Sequence, residues 1–262
     1  MGHRYEMLRS NGQPLEFFSC SPEEEGAYLT RADIVVAIRE EEAHYFDSVA
    51  GRKLATVIPY FEDPHYLDKS YKALHHVGIV ASANRINLAC VRECLEAIDG
   101  RLAGAPCPFV VHIAGKVSEM LSDIPAADAA AFRKPWVRLH GFVPDIAKFY
   151  CEMDLIVSPV TIGTGMNIKT VQAMAYGMPL LTTSCGSKGI ETGDPMHCHP
   201  NLDALAESLT TFKGPSELRR LAALSRERYD GFYETGMSAM HSLFRHQKLV
   251  SGEMDEKNKT SA

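Results

Sequence analysis

Several absences in this chain exclude whole classes of protein. No apolar run approaches the roughly 20 residues that a membrane-spanning helix needs, and no charged-then-apolar leader pattern marks its first residues; a cytoplasmic location is the expectation. Cationic charge is short. Lys and Arg number 27 against 33 Asp and Glu, so the formal net charge is −6, the wrong sign for a nucleic-acid binder. The seven cysteines, at 20, 90, 94, 107, 151, 185 and 198, are odd in number and scattered, which fits a reducing compartment better than a disulfide frame. There is no internal repeat, no low-complexity block and no Asp-x-Asp pair of the kind that holds a divalent cation beside phosphates. No G-x-G-x-x-G follows the first strand of either part of the chain, which argues against a dinucleotide oxidoreductase.

What is present is ordinary for a globular fold. Hydrophobic residues make up 45% and charged residues 23% of 262 residues, enough for one large or two small domains with a substantial core. Ser21 opens a helix over Pro22 to Thr30 with acids in its first turn. Asp33 to Ile38 reads as a strand, Glu40 to Val49 as a helix and Leu54 to Ile58 as a strand. The proline-bounded stretch Pro59 to Pro64 breaks both periods and reads as an interdomain linker.

From residue 76 strands and helices alternate. Strands are expected at His76 to Ala81, Phe109 to Ala114, Val137 to His140, Leu155 to Ser158 and Leu180 to Thr183, and Trp136 is expected to pack at the start of its strand. Between them lie a helix from about Asn84, with Val91, Cys94, Leu95, Ile98 and Leu102 facing inward, a short one at Val117 to Leu121 and another at Asp145 to Tyr150. Helices over Leu202 to Phe212, Pro215 to Tyr229 and Phe232 to Leu249 follow, with a polar, disordered tail from 251 to 262. This pattern predicts an α/β fold, a Rossmann-like parallel sheet with helices on both faces, which binds ligands beyond the carboxyl ends of its strands.

The most informative segment is 139–190. After the strand ending at Ser158, the loop Ile162-Gly163-Thr164-Gly165-Met166-Asn167 feeds directly into a helix in which Ile168, Val171 and Ala175 recur at helical spacing, and Gly177 and Pro179 stop it. A glycine-bracketed loop lets backbone N–H groups approach an anion, and the helix start adds roughly half a positive charge. Lys169 and Gln172 lie three apart on that helix, so the ammonium can reach a phosphate and the amide a sugar or ribose hydroxyl. Taken singly, each is equally a surface lysine, a solvated glutamine and a loop. Cys90 and Cys94, at i,i+4, read as helix packing rather than metal ligands, His197-Cys198-His199 as a short strand before Pro200 rather than a metal cluster, and Ser187 and Lys188 as loop residues.

In order and spacing, Ser158-Pro159, Gly163 to Gly165, Gln172-Ala173-Met174-Ala175-Tyr176-Gly177-Met178-Pro179 and Thr182-Thr183 resemble the nucleotide-sugar half of GT-B fold glycosyltransferases, the family-four-like enzymes called glycosyl transferases group 1. Upstream, residues 23–46, with Arg31-Ala32-Asp33 and the strand Ile34 to Ile38, resemble the end of the acceptor half of the same enzymes. The resemblance implies an acceptor-side remnant over 1–60, a donor-binding domain over 61–231, a crossing helix over 232–250, and a chain that is the C-terminal portion of a longer enzyme.

It also implies a nucleoside diphosphate sugar as donor, held by Gly163, Thr164, Gly165, Met166, Asn167, Lys169 and Gln172, with Arg85 against the diphosphate and the turn Gly141-Phe142-Val143 clasping the base. Relatives commonly carry glutamates at the positions of Thr164 and Gln172. Gln172 can still hydrogen-bond a diol but brings no charge. Expected activity is transfer of a sugar, with retention, to a glycan or lipid-linked glycan, with no cofactor and no metal, since the loop, helix start and Lys169 supply the positive charge. No nucleic-acid partner is expected, and membrane contact is left to the acceptor half. A noncatalytic nucleotide-sugar-binding module or truncated inactive fragment, and a nucleotide-sugar 2-epimerase, are the alternatives.

Overall fold

The computed structural model describes residues 9, 10, 12, 20–163 and 165–259, with side chains as far as 245. Its described residues form two compact units, one of the residues up to Phe61 together with those from Gly231 onward, the other Glu62–Asp230.

In the first unit, helix α1 (Pro22–Leu29) opens on a capping box. Ser21 Oγ accepts from Glu24 N at 3.2 Å while Ser21 N donates to the Glu24 carboxylate at 2.8 Å. Strand β1 (Val35–Ala37) pairs in parallel with β2 (Ala55–Val57), and helix α2 (Glu40–Ala50) connects them. Asp47 Oδ1 accepts from Leu54 N and Ala55 N, which fixes the turn into β2 and holds its carboxyl below the usual range. Tyr45 donates to Glu25 at 2.8 Å, tying α2 to α1.

The second unit is built on five parallel strands, β3 (His76–Val80), β4 (Val110–Ala114), β5 (Val137–Gly141), β6 (Leu155–Ser158) and β7 (Leu180–Thr182), in the order β5-β4-β3-β6-β7. Helices α3 (Arg85–Leu102), α4 (Ile146–Glu152), α5 (Ile168–Ala175) and α6 (Leu202–Thr210) flank it. The buried residues of β3 and β4, Val77, Ile79, Val111 and Ile113, meet Val91, Cys94, Leu95 and Ile98 of α3 and Leu205, Ala206 and Leu209 of α6 in one core. Cys90 and Cys94 are therefore packing thiols, and burial pushes Cys94 up to about 12. Trp136 is buried at the entrance to β5, its carbonyl accepting from Val111 N at 2.8 Å.

Three sequence expectations need correction. Helix α7 runs unbroken over Pro215–Lys259, where two helices and a disordered tail are expected. Gly231 costs a helix only about 1 kcal/mol relative to Ala, and Tyr229 and Phe232 are buried on either side of it. Residues 260–262 lie outside the described residues. A short 3-10 helix at Pro195–His197 and a lone bridge from Thr183 to His199 stand where a strand is expected before Pro200. Ile168, expected in the apolar stripe of α5, is 49% exposed, and Thr170, Val171, Ala173 and Met174 form the buried face instead.

Candidate functional site

The strand order decides where a ligand can sit. From β3 the chain steps outward to β4 and β5, then returns to add β6 and β7 on the other side. The connections after β3 and β6 therefore diverge, and a crevice opens between them at the carboxyl edge of the sheet. Two helices start there. Asn84 caps α3, its Oδ1 accepting from Asn87 N at 2.8 Å, and Asn167 caps α5. Cys90 Sγ on α3 lies 3.3 Å from Thr161 Oγ1 in the loop after β6, so helix and loop are bonded across the crevice.

The far side of that loop is braced by the last residue of β7 and those that follow it. Thr182 Oγ1 donates to Ser158 O at 2.8 Å, Thr183 Oγ1 donates to Val160 O, and Gly186 N donates to Thr183 Oγ1 at 3.0 Å. A Cβ at Gly186 would overlap Thr182 Oγ1, so only glycine permits this approach. Ser187, buried, bonds Thr183 O and is a structural loop residue.

The first turn of α5 departs from the simple picture of open N–H groups. Asn167 Oδ1 accepts from Lys169 N and Thr170 N, both at 3.1 Å, so two of the four orphan donors of the helix are already satisfied. Lys169 is half-buried, burial lowers its pKa, and it has no ion pair to a carboxylate among the described residues. A desolvated ammonium without a counter-charge favours an incoming anion. Gln172, one turn deeper and also half-buried, accepts from the Tyr150 hydroxyl at 3.3 Å.

The remaining candidates lie along the same edge. Arg85 is exposed at the first position of α3. Gly141 ends β5 at φ +66, and Gly115, after β4, donates to Gly141 O at 2.6 Å. A Cβ on Gly115 would overlap the Ala81 carbonyl, so the ends of β3, β4 and β5 are drawn close at this point. Phe142 is 64% exposed with the Lys116 ammonium 5.8 Å from its ring centre, while Val143 is half-buried. Gly163 and Gly165 are half-buried and Met166 is buried. Thr164 lies outside the described residues. The structure thus gathers Arg85, Gly141 to Val143, Gly163, Gly165 to Asn167 and Lys169 at the ends of β3, β5 and β6.

Sequence reading missed the bracing by Thr170, Thr183 and Gly186, and Lys116 and Tyr150. Only Thr183, at the end of an expected strand, and Lys116, two residues past another, carried a positional signal.

Among the described residues no group of three or more His, Cys, Asp or Glu could hold a metal ion. His197 and His199 have separate partners. His197 Nδ1 lies 3.1 Å from Thr192 Oγ1, while His199 meets Thr182 O at 3.0 Å and Ser208 Oγ at 2.9 Å. No helix among the described residues is long and apolar enough to cross a membrane.

The family model described as glycosyl transferases group 1 matches residues 75–212, just over half of the chain. No curated protein sequence matches. Among solved structures, TarM of S. aureus, in complex with fondaparinux, alpha-GlcNAc-glycerol and UDP, aligns at 16% identity and a TM-score of 0.68 over 88% of this chain and 48% of its own. HepE of Anabaena, in complex with UDP and glucose, aligns at 17% identity and 0.64 over 86% and 68%. A glycosyltransferase from Rickettsia africae aligns at 12% and 0.68 over 89% and 69%. These likenesses show a shared fold, and the chain spans about half the length of the TarM structures.

Proposed function

Because the chain belongs to the glycosyl transferases group 1 family, we propose that it binds a nucleoside diphosphate sugar in the crevice between the ends of β3 and β6. In this reading it is the donor-binding part of a glycosyltransferase that moves the sugar, with retention, to a glycan or lipid-linked glycan. The observation that carries it is Lys169, a half-buried ammonium in the first turn of a helix that starts at a glycine-bracketed loop, with no ion pair to a carboxylate among the described residues.

The chemistry follows from charge. Breaking the bond between the sugar and the diphosphate leaves negative charge on the leaving oxygen, and fixed positive groups aimed at that position lower the barrier. Lys169 supplies one full charge, the α5 N-terminus a partial one, and Arg85 a second at the start of α3. Phe142 and Lys116 offer an aromatic face and a cation where the base would lie. With these groups the diphosphate is neutralised without a divalent cation. The presence of UDP in the TarM and HepE complexes supports a nucleoside diphosphate as the ligand class.

Calorimetric titration with UDP, GDP and ADP tests the reading. At least one should bind, and Lys169→Ala should weaken it by about 1.5–3 kcal/mol, the usual worth of a hydrogen bond to a charged group. Equal affinity in the variant removes Lys169 from the site.

A second reading, a noncatalytic nucleotide-sugar-binding module, is favoured by Gln172, a neutral side chain whose oxygen is already bonded to Tyr150. Radiolabelled sugar transferred to an acceptor in a cell extract, lost in Lys169→Ala, would exclude it.

A further inference from the structure

The sheet brings three histidines from distant parts of the chain onto one diagonal. Side chains alternate between the two faces of a strand, and register partners in parallel strands point the same way. His112 is the register partner of Gly78 on β3 and of Arg138 on β5, so it points away from Val111 and Ile113, which lie in the core. His76, two residues before Gly78, and His140, two after Arg138, share that face. A Cβ on Gly78 would meet Phe149, Met153 and Ile156, so α4 covers the sheet there. Over β4 and β5 the cover stops. His112 is half-buried, while His76, Arg138 and His140 are exposed.

The three rings are joined. His76 Nδ1 lies 3.0 Å from His112 Nε2, and His112 Nδ1 lies 2.8 Å from His140 Nε2. Each neighbouring pair of rings is 5.1 Å apart, centre to centre, and Phe149 of α4 packs against His140 at 5.7 Å. The chain of rings ends beside Gly141, whose carbonyl accepts from Gly115 N at 2.6 Å. The end of β5 is thus held twice, by a backbone bond at Gly141 and by an imidazole bond at His140.

Proton count decides what such a chain of rings tolerates. Each link takes one N–H and one lone pair, and a neutral imidazole has one of each, so three neutral rings link in series. One added proton goes to a free end and leaves both links whole. A second sets two N–H groups against each other across a link and puts two positive rings side by side. That link opens. Burial, then His140, His76 and Arg138, disfavour a positive charge on His112, and Glu152 at the end of α4 opposes them.

We propose that His76, His112 and His140 form a proton-sensitive strut behind the turn Gly141-Phe142-Val143, with His112 as the positioning residue, so that acidification releases the turn and weakens the bound nucleotide. This rests on the donor-binding reading of the crevice. Proton and nucleotide then oppose each other, and by linkage the nucleotide drives protons off the rings. Affinity is full where the rings are neutral and falls as the pH drops through their titration.

The experiment is calorimetry on the full chain with UDP, GDP and ADP, then with whichever binds tightest at pH 7.5 and pH 5.5, below the melting temperature of each protein. An asparagine amide reaches the place of a histidine Nδ1, a glutamine amide that of Nε2, and neither titrates in this range. His112→Asn therefore keeps the bond to His140, and should bind within about twofold of wild type at pH 7.5. His112→Gln keeps only the bond to His76, and should be about fivefold weaker at pH 7.5, the worth of one hydrogen bond. On acidification, wild-type affinity should fall about fivefold more than that of His112→Asn.

His76→Gln changes an exposed ring and serves where a His112 variant does not fold. It leaves the bond to His140 and removes one positive charge from the diagonal, so affinity at pH 7.5 should hold and the fall at pH 5.5 should shrink. Titration of the nucleotide's own phosphate is common to all four proteins, so differences among them report the rings.

Equal falls in wild type, His112→Asn and His76→Gln overturn the proposal. Equal affinities of His112→Asn and His112→Gln at pH 7.5 also overturn it, since His112 would then act by packing alone. Wild-type binding that depends on Lys169 but not on these rings overturns this inference and leaves the donor reading standing. No nucleotide binding at pH 7.5 overturns the donor reading, and this inference with it.

Discussion

Thr170 Oγ1 donates to Ser158 Oγ at 2.9 Å with both side chains buried, so the first turn of α5 is bonded directly to the last residue of β6. The loop from Pro159 to Asn167 leaves and returns at two points that are tied together. Its shape is then set by the span between them and by the braces from Thr182 and Thr183, and Lys169, adjacent to Thr170, inherits that rigidity.

Replacing Thr170 by Val keeps the shape and removes the bond. Stability should fall by about 0.5–1.5 kcal/mol in urea denaturation, and the affinity for nucleoside diphosphate should fall with it, while Thr170→Ser should restore both. Unchanged affinity in the Val variant would show that the tie does not position Lys169.

Nucleotide binding should persist in EDTA. In the proposed reading the charges that would face the diphosphate are Lys169, the α5 N-terminus and Arg85, and none of them depends on an ion. Titrations with EDTA and with magnesium should give the same affinity within about twofold. Strict dependence on magnesium would overturn this charge balance.

Gly115 has φ +107, and a Cβ there would overlap the Ala81 carbonyl. Gly115→Ala therefore combines backbone strain with a clash, and should lower stability by about 1–3 kcal/mol. Because Gly115 N holds Gly141 O, the turn Gly141-Phe142-Val143 should shift as well. Chemical denaturation measures the first effect, and the loss of nucleotide affinity measures the second.

Two histidines make the fold sensitive to acid. His197 is buried, and burial takes its pKa down to about 4. His112 is also lowered to about 4, first by burial and then by His140, His76 and Arg138, with Glu152 opposing. Its ring stands between His76 at 3.0 Å and His140 at 2.8 Å. In the unfolded chain both would titrate near 6.5. Between pH 6.5 and 4 the unfolded state binds more protons, so stability rises with pH across that window and is complete above it. Melting temperature should drop as pH falls from 6.5 to 4, and His197→Gln should flatten the slope. A slope unchanged in that variant would assign the effect elsewhere.

The sequence by itself determined most elements of this protein up to the helix that opens at Pro215. Caps at Ser21, Asn84 and Asn167, stops at Gly177 and Pro179, and the alternation of short β-branched runs with amphipathic stretches act through neighbours within one or two turns. They are legible because the forces are local. The loop Gly163 to Asn167 and Lys169 stood out for the same reason: glycine, a helix start and a cation fall within seven consecutive residues. The family motif around Gln172 to Pro179 carried the rest of the functional reading.

Only the tertiary structure decided strand order, and with it the position of the crevice. It also decided that Ile168 faces out while Thr170 faces in, since Ser158 lies behind that turn and a 3.6-residue period does not say which side the sheet is on. The partners that shape the site come from far along the chain: Thr183 for Val160 and Tyr150 for Gln172. Their chemistry is ordinary in sequence. Glu62, in a stretch that reads as a linker between prolines, carried no signal until its paired backbone bonds with Tyr229 held it against α7 with one carboxylate oxygen cut off from solvent, where desolvation raises the pKa of an unremarkable acid.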